Sequence, residues 1–148
     1  MPRVLVFGAT GYLGQAATQA LVRSGLHTVY GLCRSASKAQ SLTASEIILV
    51  MCEDPLNAVR SFRIDAVVDC TATYGDSAQF LADIKKVGTK EVAAPPKISF
   101  IYISGAWVHG NSDGPVTDMD PVGAKSAPTQ PLHLVAWRPE LERKVLAA

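Results

Sequence analysis

Short apolar segments alternate with segments of helical periodicity along the chain. Each apolar segment is continuous instead of alternating with polar residues, which is typical of strands that are buried on both faces of a sheet. This pattern predicts five strands, at residues 3–7, 28–33, 46–52, 66–72 and 99–104. Helical spacing predicts helices at residues 12–24, 37–42, 55–62, 76–87 and 140–147.

Strands that alternate with helices predict an α/β fold with a parallel sheet, because parallel strands need a crossover between them. Right-handed crossovers then give a Rossmann-type doubly wound sheet with strand order 3-2-1-4-5. The length of 148 residues suits a single domain, 1–148. At the helix ends, Gly25 is suited to a C-cap, and Asp54 to an N-cap of the helix that begins at Pro55.

Composition and charge exclude several classes of function. Hydrophobic residues make up 48% of the chain and charged residues 18%, which is typical of a globular protein with a core. The 14 basic and 13 acidic residues are scattered, so no basic patch predicts binding to nucleic acid or to a membrane surface. No apolar segment approaches the ~18 residues that a membrane span needs, and no signal peptide is visible.

The three cysteines, Cys33, Cys52 and Cys70, all lie in apolar, strand-like segments. They cannot all pair with one another, and their spacing is not that of metal ligands. We interpret them as small buried hydrophobic residues in a reducing compartment. This interpretation predicts a cytoplasmic protein without a metal site.

Three glycines separate the first predicted strand from the first predicted helix, in the segment Gly8-Ala-Thr-Gly11-Tyr-Leu-Gly14. The pyrophosphate of a dinucleotide needs backbone N–H groups that no Cβ obstructs, and the positive end of a helix dipole. In this interpretation Gly8 makes the tight turn, Gly11 admits the pyrophosphate and Gly14 lets the helix approach the sheet. The alternative is an ordinary strand-to-helix turn that binds nothing.

The residues between these glycines belong to the same predicted cofactor site. Thr10 either donates its hydroxyl to the phosphate or caps the helix, and the sequence leaves both roles open. Tyr12 and Leu13 open the predicted helix, whose first N–H groups have no partner within the helix.

The end of the second predicted strand bears on the choice of dinucleotide. Proteins that prefer NAD usually carry Asp or Glu there to bind the ribose hydroxyls, whereas this chain has Arg34 and Ser35, and its next carboxylate is Glu46. The planar guanidinium of Arg34 suits a 2′-phosphate, and Ser35 and Lys38 are close enough in sequence to help. The segment therefore favours NADP(H) over NAD(H); the alternative is that Arg34 is a solvated surface residue.

Four features together resemble the extended and atypical short-chain dehydrogenases/reductases, the NAD-dependent epimerase/dehydratase group. These features are GATGYLG, Arg34 at a strand end, VVDCTA and FIYISGAWVHG. The resemblance implies an oxidoreductase or epimerase that acts on a carbonyl or hydroxyl carbon. It also implies a cofactor over the carboxyl ends of strands one, two and four, with Cys70, Thr71 and Ala72 on its nicotinamide side. Thr71 is alternatively no more than a strand-end residue.

The catalytic residues of that family have no clear counterparts in this sequence. Family enzymes use Ser or Thr after strand five and a Tyr-x-x-x-Lys motif on the next helix, in which the lysine lowers the pKa of the tyrosine. Matching the motifs puts Gly105 at the serine position, Leu134 near the tyrosine and Arg138 near the lysine, and no Tyr-x-x-x-Lys occurs anywhere. Ser104 and His133 remain as candidate catalytic residues, although surface or packing roles explain both.

Family members continue well beyond this point, so we expect the chain to be truncated and to lack a C-terminal substrate-binding region. The leading hypothesis is an NADP(H)-binding domain of a short-chain dehydrogenase/reductase-like oxidoreductase that lacks the usual Ser/Tyr/Lys set. The alternatives are a non-catalytic NADP(H)-sensing regulatory module and a ligand-free structural remnant. The sequence identifies no substrate, leaves enzymatic activity open, and makes self-association plausible at the unfinished sheet edge.

Overall fold

The computed structural model describes residues 1–33, 42, 46–51, 54–71, 73–90 and 97–148. Five parallel strands in this part of the chain form one sheet in the order β3-β2-β1-β4-β5, which confirms the predicted order. The strands are β1 Arg3–Phe7, β2 Thr28–Cys33, β3 Ile48–Met51, β4 Ala66–Asp69 and β5 Ser99–Tyr102. The helices are α1 Tyr12–Arg23, α2 Pro55–Ser61, α3 Tyr74–Lys90 and α4 Arg138–Leu146, with 3-10 turns at Ala106–His109 and His133–Val135.

Several boundaries differ from the predicted ones. β4 ends at Asp69 instead of residue 72, because the side chain of Asp69 accepts the N–H of Thr71 and so takes it out of the sheet. α3 continues through Gly88 to Lys90, whereas the sequence predicted its end near that glycine. A single glycine costs a helix only about 1 kcal/mol, so it does not by itself end one. Of the helix predicted at residues 37–42, all but Leu42 lies outside the described residues.

The core lies on both faces of the sheet, as expected for a doubly wound fold. On β1, Leu5 and Phe7 belong to a cluster that includes residues of α2 and α3, and the ring of Phe7 lies 4.8 Å from that of Phe80 on α3. Val4 and Val6 point to the other face and pack in a cluster that Leu21 of α1 joins. Burial on both sides therefore explains the continuous apolar sequences of β1, β2 and β4. The edge strands β3 and β5 differ from this expectation, because they keep exposed residues such as Ile48 and Ile101.

The chain divides into two compact units, residues 1–103 and 104–148. The first contains the whole five-stranded sheet with α1, α2 and α3, and the second contains the two 3-10 turns and α4. That residues 1–148 make a single domain remains a prediction.

The sheet order places a topological switch point between β1 and β4. The chain leaves β1 for β2 on one side and later returns to β4 on the other, where Phe7 is in register with Asp69. In open α/β sheets, ligands bind at the carboxyl ends of the strands on either side of such a point. A candidate binding site is therefore expected at the residues that follow Phe7 and Asp69.

Candidate functional site

Gly8 follows β1 directly and meets two separate constraints. Its φ of +81° lies in the region that only glycine adopts readily, and its carbonyl accepts the N–H of Gly11 at 2.9 Å. A Cβ on Gly8 would also lie 3.1 Å from the carbonyl carbon of Cys70 and 3.2 Å from the nitrogen of Thr71. The positive φ requires glycine at this position, and the neighbouring end of β4 leaves little room for a side chain.

Gly14 lets α1 approach the turn that precedes it. A Cβ on Gly14 would lie 2.1 Å from the carbonyl oxygen of Gly8, so the close approach is to Gly8, immediately after β1. Thr18, one turn further along, is fully buried and donates its hydroxyl to the carbonyl of Gly14 at 2.9 Å. We call residues Gly8 to Gly14 the glycine loop.

The N-terminus of α1 leaves its first backbone N–H groups without a side-chain cap. Gly11 is the N-cap residue and the first bond of the helix runs from the N–H of Gln15 to its carbonyl at 2.9 Å. The capping role considered for Thr10 is therefore wrong; its carbonyl instead accepts from the side chain of Gln15 at 3.2 Å. Tyr12 is 94% exposed and Leu13 46%, so the start of the helix is open to solvent.

Four of the predicted cofactor-binding residues, Arg34, Ser35, Lys38 and Ala72, lie outside the described residues. Arg34 follows Cys33, the buried last residue of β2, by one position. The predicted interaction of Arg34 with a 2′-phosphate remains a prediction.

The carboxyl end of β4 carries a polar cluster of Asp69, Thr71 and Ser77, of which only Thr71 was predicted as a site residue. Asp69 is fully buried, and its Oδ1 accepts the N–H of Thr71 at 2.9 Å and the Thr71 hydroxyl at 2.7 Å. The Thr71 hydroxyl also lies 3.1 Å from that of Ser77, a buried residue of α3. The signal was present in the sequence, because an aspartate that ends an apolar strand two residues before a threonine is typical of a local side-chain turn.

Cys70 directly follows the last residue of β4. Burial, together with the neighbouring charge of Asp69, raises the pKa of the Cys70 thiol, so the thiol at this edge of the sheet stays protonated at neutral pH.

Gly31 in β2 also lies close to the glycine loop and was not predicted as a site residue. A Cβ on Gly31 would lie 3.2 Å from the Cβ of Ala9 in the loop. A lone glycine inside a strand is a known sign of such close approach.

The candidate catalytic residues all lie in the second unit. The hydroxyl of Ser104 donates to Oε1 of Glu142 on α4, and His133 is exposed in a 3-10 turn. Nη1 of Arg138 lies 3.8 Å from the position that a Cβ on Gly105 would occupy. The side chain of Leu134, which matches the family tyrosine, is 74% exposed.

This second unit thus brings Arg138 close to Gly105, the two positions that the resemblance assigns to the family lysine and serine. Neither Gly105 nor Leu134 supplies a hydroxyl there. The guanidinium of Arg138 also lies over the ring of Trp137, 4.9 Å from its centroid, which is a cation–π contact.

Among the described residues, no helix is long and apolar enough to cross a membrane. The same residues contain no group of three or more His, Cys, Asp or Glu side chains that could hold a metal ion.

Residues 4–128 match the model of the NAD-dependent epimerase/dehydratase family. No curated protein matches the chain.

Several solved structures share its fold. The dTDP-glucose 4,6-dehydratase of Bacillus anthracis, in complex with NAD, is 16% identical with a TM-score of 0.65 over 86% of this chain and 46% of its own. The UDP-glucuronic acid 4-epimerase of Bacillus cereus, also in complex with NAD, is 24% identical with a TM-score of 0.63 over 97% and 50%. The terminal R domain of the myxalamid PKS-NRPS pathway is 18% identical with a TM-score of 0.67 over 99% and 45%. The chain thus spans about half the length of these structures.

Proposed function

The chain belongs to the NAD-dependent epimerase/dehydratase family, and from this premise we propose that it binds a nicotinamide dinucleotide at the glycine loop. The observation that carries the proposal is the glycine loop itself, in which Gly8 has a positive φ and a side chain at Gly14 would collide with the backbone of Gly8. A loop packed this tightly against an uncapped helix N-terminus has the geometry that a pyrophosphate needs.

The glycine loop supplies the chemistry of binding without any charged side chain. The N–H groups of Tyr12 and Leu13 precede the first hydrogen bond of α1, so they are free of intrahelical partners and lie at the positive end of the helix dipole. Gly11, as the N-cap, keeps the approach to them clear. The Thr10 hydroxyl, which does not cap the helix, is the side-chain donor in this proposal.

The finer proposal is a preference for NADPH over NADH, and it rests on the sequence at the end of β2. Arg34 and Ser35 follow the strand where an NAD-specific site would carry a carboxylate. Two solved structures that share the fold are NAD complexes, but identities of 16% and 24% carry the fold and not the cofactor choice. Arg34→Ala should weaken NADPH binding at least about tenfold, the loss expected for one charge-assisted hydrogen bond, and NADH binding far less.

The reaction proposed for the whole protein is hydride transfer between the dinucleotide and a carbonyl or hydroxyl carbon. A bound nicotinamide supplies the hydride chemistry, and the protein must supply binding, orientation and proton transfer. The family's serine and tyrosine hydroxyls are missing at Gly105 and Leu134. Ser104 and His133 are the proposed substitutes, of which Ser104 already donates its hydroxyl to Glu142.

A second candidate function is a non-catalytic module that binds NADP(H) and reports its concentration to another protein. The observation that favours it is the exposed apolar Leu134 at the position of the family's proton-transferring tyrosine. Both functions require that the chain binds the dinucleotide, but only the first requires that it catalyses a reaction.

The experiment that tests the proposal is a titration of the purified chain with NADPH and NADH, followed by ligand fluorescence. Saturable binding that is tighter for NADPH supports both the binding of the dinucleotide at the glycine loop and the recognition of its 2′-phosphate by Arg34. Equal affinity for NADPH and NADH contradicts the role of Arg34. If a folded chain binds neither dinucleotide, the proposed function is wrong and the ligand-free remnant takes its place.

A further inference from the structure

Asp69 is a buried carboxylate that the stability of the fold does not explain. The residue is 0% exposed, and while Oδ1 accepts two hydrogen bonds, Oδ2 has no partner among the described residues. A buried charged oxygen without a partner costs free energy of folding. Such an orphaned atom in a folded protein requires an explanation other than stability.

The two hydrogen bonds of Asp69 lead directly to the glycine loop. Both come from Thr71, through its backbone N–H and its hydroxyl. The same nitrogen of Thr71 lies 3.2 Å from the Cβ position of Gly8, and so does its methyl carbon Cγ2. Thr71 is therefore fixed by Asp69 on one side and limits the position of Gly8 on the other.

The neighbouring residues hold Thr71 from a third direction. Its hydroxyl lies 3.1 Å from that of Ser77 on α3 and 3.4 Å from that of Thr73. Because the hydroxyl donates its single proton to Asp69, it acts as the acceptor in these further contacts. The carboxylate thus sets the direction of the whole hydroxyl cluster.

We propose that Asp69 is a positioning residue, which acts through Thr71 to hold the glycine loop in the conformation that binds the dinucleotide. This inference rests on the proposed function. Asp69 is buried and does not touch the ligand; its effect passes from Oδ1 to Thr71 and from Thr71 to Gly8. The carboxylate is retained for this effect on the loop, although its Oδ2 reduces stability.

The test compares three variants of the full chain. Asp69→Ala removes both hydrogen bonds to Thr71, whereas Asp69→Asn keeps an acceptor at Oδ1 and loses the charge. Asp65→Ala is the matched control, because the carboxylate of Asp65 also accepts one backbone N–H, that of Arg3 at 2.7 Å, but at the amino end of β4.

Two measurements are made on each variant, namely the dissociation constant for NADPH and residue-resolved amide hydrogen exchange without ligand. The decisive amide is that of Gly11, which donates to Gly8 and does not contact Asp69. In Asp69→Ala we expect about tenfold weaker binding and about tenfold faster exchange at Gly11, because only part of the free energy of the two lost hydrogen bonds passes on to the loop. Amides inside β1 should exchange as in the wild type. Asp69→Asn should recover only part of both losses, because a hydrogen bond to an uncharged acceptor is weaker than one to a carboxylate.

The proposal is overturned if hydrogen exchange in Asp69→Ala becomes faster by the same factor at all amides, or if the exchange rate at Gly11 does not change. It is also overturned if Asp65→Ala changes exchange in the glycine loop by the same factor. If Asp69→Ala does not fold, Thr71→Val replaces it, because it removes only the hydroxyl of a half-buried side chain. It should still accelerate exchange at Gly11. A wild-type chain that binds no dinucleotide contradicts the proposed function, while the exchange result alone still decides the role of Asp69.

Discussion

Gly8, Gly11 and Gly14 have the same side chain but different reasons for being glycine. Gly8 is required by its positive φ, and Gly14 by the carbonyl oxygen of Gly8, which lies only 2.1 Å from its Cβ position. At Gly11 the backbone is extended, with φ −80° and ψ 169°, a conformation that any residue adopts. We therefore expect the requirement at Gly11 to come from the proposed ligand, whose pyrophosphate a side chain there would obstruct.

This difference makes Gly11 the position where binding can be separated from folding. Gly11→Val should fold, because its added Cβ meets only the carbonyl oxygen of Gly8, at 3.2 Å. Its branched side chain would occupy the pyrophosphate position, so we expect loss of dinucleotide binding by at least about a hundredfold, as for several charge-assisted hydrogen bonds. Gly114→Val is the control, because nothing lies within 4 Å of a Cβ there. Retained affinity in folded Gly11→Val would contradict the assignment of the loop.

The raised pKa of Cys70 predicts that its thiol, at the same edge of the sheet, is alkylated slowly. Burial and the charge of Asp69 raise this pKa above the ordinary value, and the thiolate is the reactive form. At pH 8 Cys70 should therefore react with iodoacetamide more slowly than a free cysteine, and its rate should keep rising above pH 9. Peptide mapping after timed alkylation measures this rate. A rate equal to that of free cysteine at pH 8 would contradict the shifted pKa.

At the scale of elements, α1 and α2 differ at their N-termini. α1 begins at a bare glycine, whereas α2 begins with Asp54, whose carboxylate accepts the N–H of Leu56 at 2.9 Å, and with Pro55 in its first turn. The predicted cap is thereby confirmed. The open N-terminus of α1 is suited to bind an anion, whereas the cap of α2 already occupies one of its first N–H groups.

Removing the cap of α2 should cost stability without affecting the glycine loop. Asp54→Ala should lower the free energy of unfolding by about 1 kcal/mol, the usual value of an N-cap, as measured by urea denaturation. Asn57→Ala is a suitable control, since Asn57 only accepts an exposed hydrogen bond from Ser61. A loss in Asp54→Ala no larger than in Asn57→Ala would argue against the cap.

The sheet order and the place of the glycine loop could be predicted, because both follow from local patterns. Continuous apolar strands and right-handed crossovers define the topology, and the spacing of Gly8, Gly11 and Gly14 defines the loop. The predicted order already places the ends of β1 and β4 side by side, but how closely Thr71 approaches Gly8 could not be predicted, because it depends on packing between residues that are far apart in sequence. The burial of Asp69 was hidden for the same reason, because it depends on tertiary neighbours and not on the local sequence.

At the scale of the whole molecule, ligand binding and stability are linked. A ligand that binds only the folded chain stabilises it by about 2.7 kcal/mol at a hundred times its dissociation constant. For a chain of this length that amounts to about 5–10 °C in the unfolding temperature. NADPH should raise the melting temperature of the wild type accordingly and leave that of Gly11→Val unchanged, as measured by calorimetry. An equal rise in both proteins would place the ligand elsewhere.

The contact between Gly8 and the end of β4 has a consequence for biosynthesis. The sequence motif is complete once Gly14 has been translated, but the loop is not enclosed until residues 70 and 71 exist and β4 has paired with β1. A nascent chain that stops before β4 carries every glycine of the motif but lacks Cys70 and Thr71, the residues that lie next to Gly8. Acquisition of the dinucleotide would therefore mark the moment at which the central strands are in place, and the ligand can serve as a reporter of cotranslational folding.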